Sequence, residues 1–259
     1  MNDSQRDNYA DTYDEKYGIL KDYARESLFI NEILKGHGFG PGSSLLDLAC
    51  GTGTHICQLA KMGYDCSALD LNPEMLEKVR EKAEKSGVTV TLYQGDMRRF
   101  DLHRRFSAVL NMFYSFQDAL RTEEDQKRCL KSIRSSLQPG GLLIIELLPE
   151  ENNLRRYPVG GYFEIFREEK PDGVQYVVSS TNRLLNDDLK EIIFTFTWSK
   201  HGKVIRETRS KTLLRRMPLE TIQRLFREEG FTFATSYGDY SLDVPFNANS
   251  EKMIAVFTL

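Results

Sequence analysis

Little in this sequence points to a membrane, a metal or a disulfide framework. No apolar run approaches the roughly 20 residues that span a bilayer. The four cysteines, Cys50, Cys57, Cys66 and Cys129, form no C-x-x-C pair, and only four histidines are available to join them. Free thiols suit a reducing cytoplasm, and no metal site is expected. The net charge is −3, the opposite of the basic balance with which a nucleic-acid binder neutralises phosphates. The opening MNDSQRDNYADTYDEKYG is polar and acidic, so no signal peptide is expected there. No internal repeat or low-complexity tract interrupts the chain. Its 259 residues, 40% of them hydrophobic, suffice for one large core or two small ones.

What is present is an alternation of short apolar runs with amphipathic stretches. Residues 18–36 read as a helix closed by Gly36 and Gly38. SSLLDLA (43–49) is a short strand, and residues 54–62 form a helix ended by Gly63. DCSALDL (65–71) is a second strand. The stretch NPEMLEKVREKAEKSG then carries full helix signals: Asn72 as cap, Pro73 at the first position, acids in the first turn and Gly87 as the stop. VTVTLYQGD (88–96) and RFSAVLNMF (105–113) are a third and a fourth strand. A helix over 122–137 ends at QPGG, and LLIIELL (142–148) is a fifth strand. Apolar strands alternating with helices predict an α/β fold, a parallel sheet covered on both faces.

The pattern changes over residues 161–216, which show no convincing helix. GVQYVVSS, LKEIIFTFTW and KVIRETRSKTLL alternate as half-buried strands do, with NDD and KHG as turns. These predict an antiparallel insertion. The helix PLETIQRLFREEG and the strands FTFATSY and KMIAVFTL follow, giving the main sheet an antiparallel end. The expected division is therefore a main domain of residues 1–160 and 217–259, with a helical lid over 1–40, and an inserted subdomain of residues 161–216.

The first strand runs into LLDLACGTGTH. Gly51 and Gly53 would let backbone approach a ligand at the carboxyl end of the sheet, where open α/β sheets bind. A dinucleotide fingerprint requires a third glycine three residues later, and Ile56 stands there. The G-K-[ST] ending of a phosphate-binding loop is also missing. Asp47 lies four residues before Gly51, and Asp70 ends the second strand, 17 residues after Gly53. An acid at that strand end is placed to accept both hydroxyls of a ribose. Gly95, Asp96 and Met97 end the third strand, where a polar group can reach an adenine edge. Carboxylates and backbone amides without a phosphate clamp suit a ligand with adenine, ribose, a cationic centre and an amino-acid tail. That ligand is S-adenosylmethionine (SAM), with S-adenosylhomocysteine as product.

LLDLACGTGTH, ALDLNPEML, GDMRRF and LQPGG, in that order, resemble the successive motifs of the class I SAM-dependent methyltransferases. The resemblance implies a Rossmann-like fold with a mostly parallel seven-stranded sheet. NYADTYDEKY, KDYARES, GDMRRFDLHRRFSAVLNMF and the inserted strands are similar to one branch, the small-molecule N-methyltransferases that dimethylate nucleotide-linked deoxyamino sugars. YSFQDALRTEED and the segment after IIELL depart from that branch, and both flank the acceptor pocket in such folds. The resemblance implies a cofactor set of Tyr13, Tyr23, Asp47, Ala49, Gly51, Gly53, Thr54, Asp70, Leu71, Gly95, Asp96, Met97 and Met112. In it Asp47 orders the glycine loop and helps bind the methionine ammonium group.

Tyr9, Tyr13 and Tyr17 recur every four residues on one helical face. They read equally as core packing and as a lid whose rings face a sulfonium. NMFY (111–114) keeps the Asn and Tyr of the N-P-P-Y found in amino-directed methyltransferases and lacks both prolines. Asn111, Tyr114 and Tyr17 are thus candidates for orienting a nitrogen acceptor. Arg98, Arg99, Arg104 and Arg105 read as a solvated basic surface, His55 as structural, and His103 and His201 as surface residues.

Methyl transfer from a sulfonium is an in-line displacement with a good leaving group, so alignment is the main task. Positioning of that kind can contribute up to about 7–11 kcal/mol. An amine acceptor needs only to lose a proton, whereas a hydroxyl needs a tuned base that the sequence does not show. The expected function is methyl transfer to a small-molecule amine, with neither nucleic acid nor membrane as partner. The alternatives are O-methylation of a carboxylate or phenol, and SAM binding without transfer. A nicotinamide dehydrogenase is more remote. The chain is expected to be a monomer or homodimer, and the insertion either roofs the acceptor pocket or dimerises.

Overall fold

The computed structural model describes residues 9–259. The five apolar runs form β1 (Ser44–Leu48), β2 (Asp65–Asp70), β3 (Val90–Gln94), β4 (Phe106–Asn111) and β5 (Leu137–Leu147). They pair in parallel in the spatial order β3-β2-β1-β4-β5. β11 (Met253–Thr258) lies antiparallel between β5 and β10 (Thr232–Tyr237) and completes seven strands.

Alternation along the central strands divides the core in two. Leu46 and Leu48 of β1 and Val109 of β4 face one cluster, with Leu130 and Ile133 of α6 (Glu123–Ser136) and Leu225 and Phe226 of α8 (Leu219–Glu228). Leu45 of β1 and Ala108 and Leu110 of β4 face the other. There they meet Ile30 and Leu34 of α2 (Tyr23–Gly36), Ile56 and Leu59 of α3 (Thr54–Lys61) and Val79 of α4 (Pro73–Ser86). Both faces are covered, as apolar runs without a polar side require. The helix signals act as expected at α4: Asn72 Oδ1 accepts from the Glu74 amide at 2.9 Å, and Gly87 closes it at φ +65°.

The expected helix over 18–36 is broken. Helix α1 (Tyr9–Tyr17) passes into a 3-10 turn at Gly18–Leu20, and Lys21 is extended. Asp22 then caps α2 by accepting from the Arg25 amide at 3.0 Å, a second N-cap inside what periodicity read as one helix. Two short helices, α5 (Ser115–Ala119) and α7 (Glu150–Arg156), were not expected.

The insertion is a four-stranded antiparallel sheet in the order β6-β7-β8-β9: β6 (Tyr162–Glu169), β7 (Val174–Leu184), β8 (Leu189–Lys200) and β9 (Lys203–Arg215). Three strands were expected. The fourth, β6, is a half-exposed edge strand rich in charge, which blurs the alternating pattern. Tyr176, Val178, Phe196 and Trp198 form the sheet's apolar face and pack on Tyr17 of α1. Tyr17 donates from its hydroxyl to Ser210 Oγ at 2.7 Å, and Tyr176 donates to the Lys16 carbonyl at 3.2 Å.

One buried amide ties this sheet to the main domain. Gln117 of α5 donates from Nε2 to the carbonyls of Leu148 and Arg215, both at 3.1 Å, and its Oε1 accepts from the Leu148 amide at 2.7 Å. Replacing it by a similarly sized apolar group leaves buried backbone groups without partners, at about 1–3 kcal/mol each. Gln117→Leu is expected to lower the unfolding free energy by about 2–4 kcal/mol in urea titration. A loss below about 0.5 kcal/mol, typical of an inert surface change, would show that the amide is not the tie.

Candidate active site

The loops that leave β1, β2 and β4 converge at one edge of the sheet. After β1 the backbone turns through Ala49 (φ +57°), Gly51 (φ +55°) and Gly53 (φ +72°). Gly53 is fixed by contact as well as by angle: a Cβ there would lie 2.6 Å from a methyl of Val79, so α4 packs directly on the loop. At Gly51 a Cβ would meet only the Tyr13 ring at 4.0 Å, so its requirement is the left-handed backbone. Asp70 joins the loop to the end of β2. Its Oδ2 accepts from the Gly51 amide and its Oδ1 from the Asn72 amide, each at 2.9 Å. Burial raises the Asp70 carboxyl above its usual range, against the pull of the Asn72 and Gly51 amides.

Asp47 is more deeply placed, only 3% exposed. Among the described residues no hydrogen-bond donor reaches its carboxylate. Burial pushes its pKa up to about 7, with Asp70 adding to the rise and His55 opposing it. A buried carboxylate without donors is a standing demand for a cation or a set of N–H groups.

Helix α1 closes over this loop. Asp14 accepts from Thr52 Oγ1 at 2.7 Å and pairs with Lys82 at 2.6 Å. Lys82 also donates to the hydroxyls of Thr52 and Thr54, at 2.8 and 2.7 Å.

Between these parts lies a cavity of about 300 Å3. Tyr13, Tyr17, Ala49, Gly51, Asp70 and Tyr114 line it, together with Asp118 of α5 and Ile192, Phe194, Thr212 and Leu214 of the inserted sheet. A smaller space of about 40 Å3 beside it touches Tyr13, Tyr23, Asp47, Ala49, Gly51, Thr54 and Met112. These two spaces gather most of the residues chosen from the sequence. Asn111 sits behind them, fully buried, donating from Nδ2 to the Leu48 carbonyl at 2.8 Å while its Oδ1 has no partner.

Besides Asn111 and Gly53, four of the expected residues line neither space. Leu71 is 65% exposed, Gly95 packs on Leu69, and Met97 is buried in the core. Asp96 is held by Arg98 in a two-point ion pair that keeps its carboxyl below the usual range. Two of the other arginines are also engaged: Arg104 stacks on Phe106, and Arg105 donates to the Leu137 carbonyl at 2.7 Å. The side chain of Tyr9 lies outside the described residues.

Periodicity did not reveal a buried charge network beneath the site. Glu146, in the middle of the apolar run of β5, has no exposed surface. Its Oε2 accepts from the Phe113 amide at 2.8 Å, the Tyr240 hydroxyl at 2.7 Å and Lys21 Nζ at 3.4 Å. Lys252 approaches Oε1 at 3.6 Å. Burial alone would raise this carboxyl, but Lys21, Lys252, Tyr240 and the Phe113 amide hold it at about 2. Lys21 also pairs with Glu26 at 3.0 Å, and Glu26 meets His55 Nε2 at 2.7 Å. The Glu within IIELL was the one available signal, since an isolated acid in a two-sided apolar strand must have partners.

The network fixes the NMFY turn. Phe113 and Tyr114 both have left-handed backbones, φ +57° and +61°, and the Phe113 amide is the donor that Glu146 holds. Tyr114 is thereby presented to the cavity, its phenol pushed well up by burial and by the Glu146 charge. Asp118 was also passed over in the sequence. Burial raises its carboxyl, with Arg121 and the Leu213 amide opposing.

Residues 45–141 match the family model of a methyltransferase domain. Over 139 residues the chain is 41% identical to the dTDP-3-amino-3,4,6-trideoxy-alpha-D-glucopyranose N,N-dimethyltransferase of Streptomyces venezuelae, covering 53% of this chain and 56% of that protein. The chain spans about half the length of the aminosugar dimethyltransferases it matches. A glycine/sarcosine N-methyltransferase of Parasynechococcus marenigrum is 28% identical over 252 residues, 93% of this chain and 82% of that one. The crystal structure of Streptomyces venezuelae DesVI superposes with a TM-score of 0.74 at 28% identity, covering 96% of this chain and 98% of that one.

The unpartnered Asp47 sets a pH signature. Its folded pKa of about 7 lies above the ordinary 3.8, so the fold favours the protonated form. The resulting penalty is absent below about pH 4, grows between pH 4 and 7, and is complete above pH 7. Asp47→Asn removes it. Without ligand, the variant is expected to be more stable than the parent at pH 8, by up to about 4 kcal/mol, and equal to it near pH 4. Melting curves at the two pH values check this; a variant that melts lower at pH 8 contradicts it.

Proposed function

On a chain that carries a methyltransferase domain and folds as a class I methyltransferase, we propose SAM-dependent transfer of a methyl group to the amine of a small molecule. The observation that carries the reading is the buried, donor-free Asp47 beside the Asp70-tied glycine loop, Asp47 opening on the smaller space and Asp70 on the adjoining cavity under the inserted sheet. A ligand that is cationic at one end and hydroxylated at the other satisfies both carboxylates. SAM has that make-up.

In this reading Asp70 receives the ribose hydroxyls. Its two backbone bonds leave acceptor capacity on each oxygen. Asp47 and the space lined by Tyr23, Thr54 and Met112 take the amino-acid end, and Tyr13 covers the sulfonium with its ring face. Ala49, Gly51 and Gly53 bring backbone against the ligand. Leu71, Gly95, Asp96 and Met97 border the adenine end, where Asp96 reaches the base only on release from Arg98.

Bound there, SAM would supply an electrophilic methyl group for in-line transfer to a nitrogen lone pair, with S-adenosylhomocysteine as product. The chain's own part is alignment. The rigid Phe113–Tyr114 turn sets the acceptor wall, Asn111 braces it against β1, and Tyr17 fixes the opposite side. Asp118 is a carboxylate lining the acceptor side of the main cavity, able to hold an ammonium or take its proton. The inserted sheet supplies Ile192, Phe194, Thr212 and Leu214 to the wall, which supports a roof over the acceptor. The described residues that line this space come from one chain, so the reading requires no second copy.

Amine acceptors named for relatives in both groups, aminosugars and glycine or sarcosine, support nitrogen over oxygen. Four free cysteines fit a reducing compartment such as the cytoplasm.

Methyl-labelled SAM offered with small amines, nucleotide-linked amino sugars, phenols and carboxylates tests this. Label is expected on nitrogen, seen as the mass gain of one labelled methyl replacing a hydrogen of the amine; label confined to oxygen overturns the reading. Asp70→Asn is expected to weaken SAM binding at least about tenfold by calorimetry, the usual cost of a hydrogen bond to a charged group.

A further inference from the structure

Behind the Phe113–Tyr114 turn lies a second chamber, of about 150 Å3. It shares Tyr17, Phe113, Tyr114, Leu148, Ile192 and Phe194 with the main cavity. Two strands of the inserted sheet wall it with alternate residues, Lys190, Ile192 and Phe194 from β8 and Ser180 and Asn182 from β7. Alternation along a strand puts each set on one face, so Lys190 extends the acceptor wall inward.

Lys190 is 5% exposed. Among the described residues, no carboxylate lies within ion-pair distance of its ammonium group, whose hydrogen-bond partner is Asn153 Oδ1. Glu150 of α7 faces the same region but is already paired with Arg216. Burial pushes the Lys190 ammonium down to about 8, Glu150 opposing and Arg216 reinforcing. The chamber's other charges are satisfied: Lys21 and Lys252 by Glu146, and Glu251 by the Tyr157 hydroxyl and Arg156. A second polar atom is left over. Asn182 donates from Nδ2 to the Tyr157 carbonyl, and its buried Oδ1 has no partner.

A buried cation without an anion, beside a buried acceptor without a donor, is costly unless a ligand completes both. The ligand must bring an anionic group and an N–H or O–H. Its size is bounded too, since the chamber is smaller than the roughly 300–1,000 Å3 of sites for drug-sized ligands. A nucleotide does not fit; a carboxylate on a short chain does.

We propose that this chamber is the acceptor subsite and that it selects small amino carboxylates, Lys190 taking the carboxylate and Asn182 Oδ1 accepting from an N–H or O–H of the same molecule. The amine then projects past Tyr17 and Tyr114 towards the methyl donor. The proposal rests on the reading of the chain as an amine methyltransferase. Lys190 is a specificity residue, remote from the transferred methyl.

The test compares glycine, sarcosine, β-alanine and 4-aminobutyrate with methylamine, ethylamine and propylamine, and with a dTDP-linked amino sugar, as acceptors for labelled SAM. The amino carboxylates are expected to exceed the plain amines in kcat/KM at least about tenfold, as the loss of one charge-assisted bond implies. Lys190→Gln should abolish that preference through KM, with kcat, plain-amine transfer and SAM affinity unchanged, and Lys190→Arg should restore part of it. If Lys190→Gln does not fold, Asn182→Ala must raise KM for the amino carboxylates selectively. Equal treatment of both acceptor sets, or transfer to the amino sugar with none to amino carboxylates, overturns the proposal and leaves N-methylation standing. If no acceptor is methylated, the functional reading fails, and melting with S-adenosylhomocysteine and 4-aminobutyrate decides the chamber. A rise in Tm that Lys190→Gln removes supports the subsite; no rise in the parent overturns it.

Discussion

Glu146 has no contact with solvent, yet the amide of Phe113, the hydroxyl of Tyr240 and the ammonium group of Lys21 all converge on one of its oxygens. Two consecutive non-glycine residues in left-handed conformation cost about 1–3 kcal/mol each, and the turn after β4 has them at Phe113 and Tyr114. Such a turn persists only when its surroundings over-determine it. The carboxylate does so by holding the amide of its first residue. Lys21 in turn neutralises Glu146 and reaches Glu26, which engages His55 on α3 next to the glycine loop. The glycine loop and the Phe113–Tyr114 turn therefore hang from the same buried ions. Losing one partner would leave an uncompensated buried charge, which costs far more than a surface pair is worth.

This linkage explains which parts were legible in the sequence. β1, β2, β4 and β5 are continuous apolar runs because they are buried on two faces, and the run itself reports that. Asn72-Pro73, Gly87 and the glycine loop act locally, so their meaning survives reading in isolation. β6 was missed because an edge strand with charged residues on its open side has no clean period. The break at Gly18–Asp22 was missed because one turn of 3-10 helix leaves the apolar spacing nearly intact. Lys21 and Glu146 stand 125 residues apart, and nothing in local pattern couples them. Lys190 read as a polar position on an alternating strand, and only the packing of α7 against β8 turns that position into an interior one.

Among the described residues, two deeply buried groups of the cavity system lack a partner of opposite charge, and they have opposite sign. Asp47 lies at the end where a sulfonium-bearing amino acid would sit, without a donor. Lys190 lies at the far end of the adjoining chamber, without an anion. Burial moves each towards its neutral form, up to about 7 for Asp47 and down to about 8 for Lys190. A fold selected for stability alone would replace both with apolar side chains of similar volume. The same chain compensates the other buried carboxylates near these sites, Glu146 with Lys21 and Lys252, and Glu191 with Arg183 and Lys211. In the proposed reading, ligand atoms complete both Asp47 and Lys190.

The division of labour between the two sheets follows from this. The parallel sheet supplies loops whose geometry depends on backbone, through Gly51, Gly53 and the strand-end acids, and backbone-determined sites leave strong motifs in sequence. The inserted sheet supplies side chains, Lys190, Ile192 and Phe194 on one strand face, on a framework of main-chain hydrogen bonds that tolerates many residues at those positions. Acceptor choice can then change by substitution on β7 and β8 without disturbing the glycine loop or the Glu146 network. The inserted sheet is tied to the main domain at several points, among them Gln117, the packing of Tyr17 against Phe196, and the pairs Arg216–Glu150 and Lys190–Asn153. In the proposed reading these ties hold the inserted sheet over the methyl site while its inner face varies; the glycine loop is legible as a motif because it depends on local backbone, and the Lys190 wall is not because it depends on packing between distant segments.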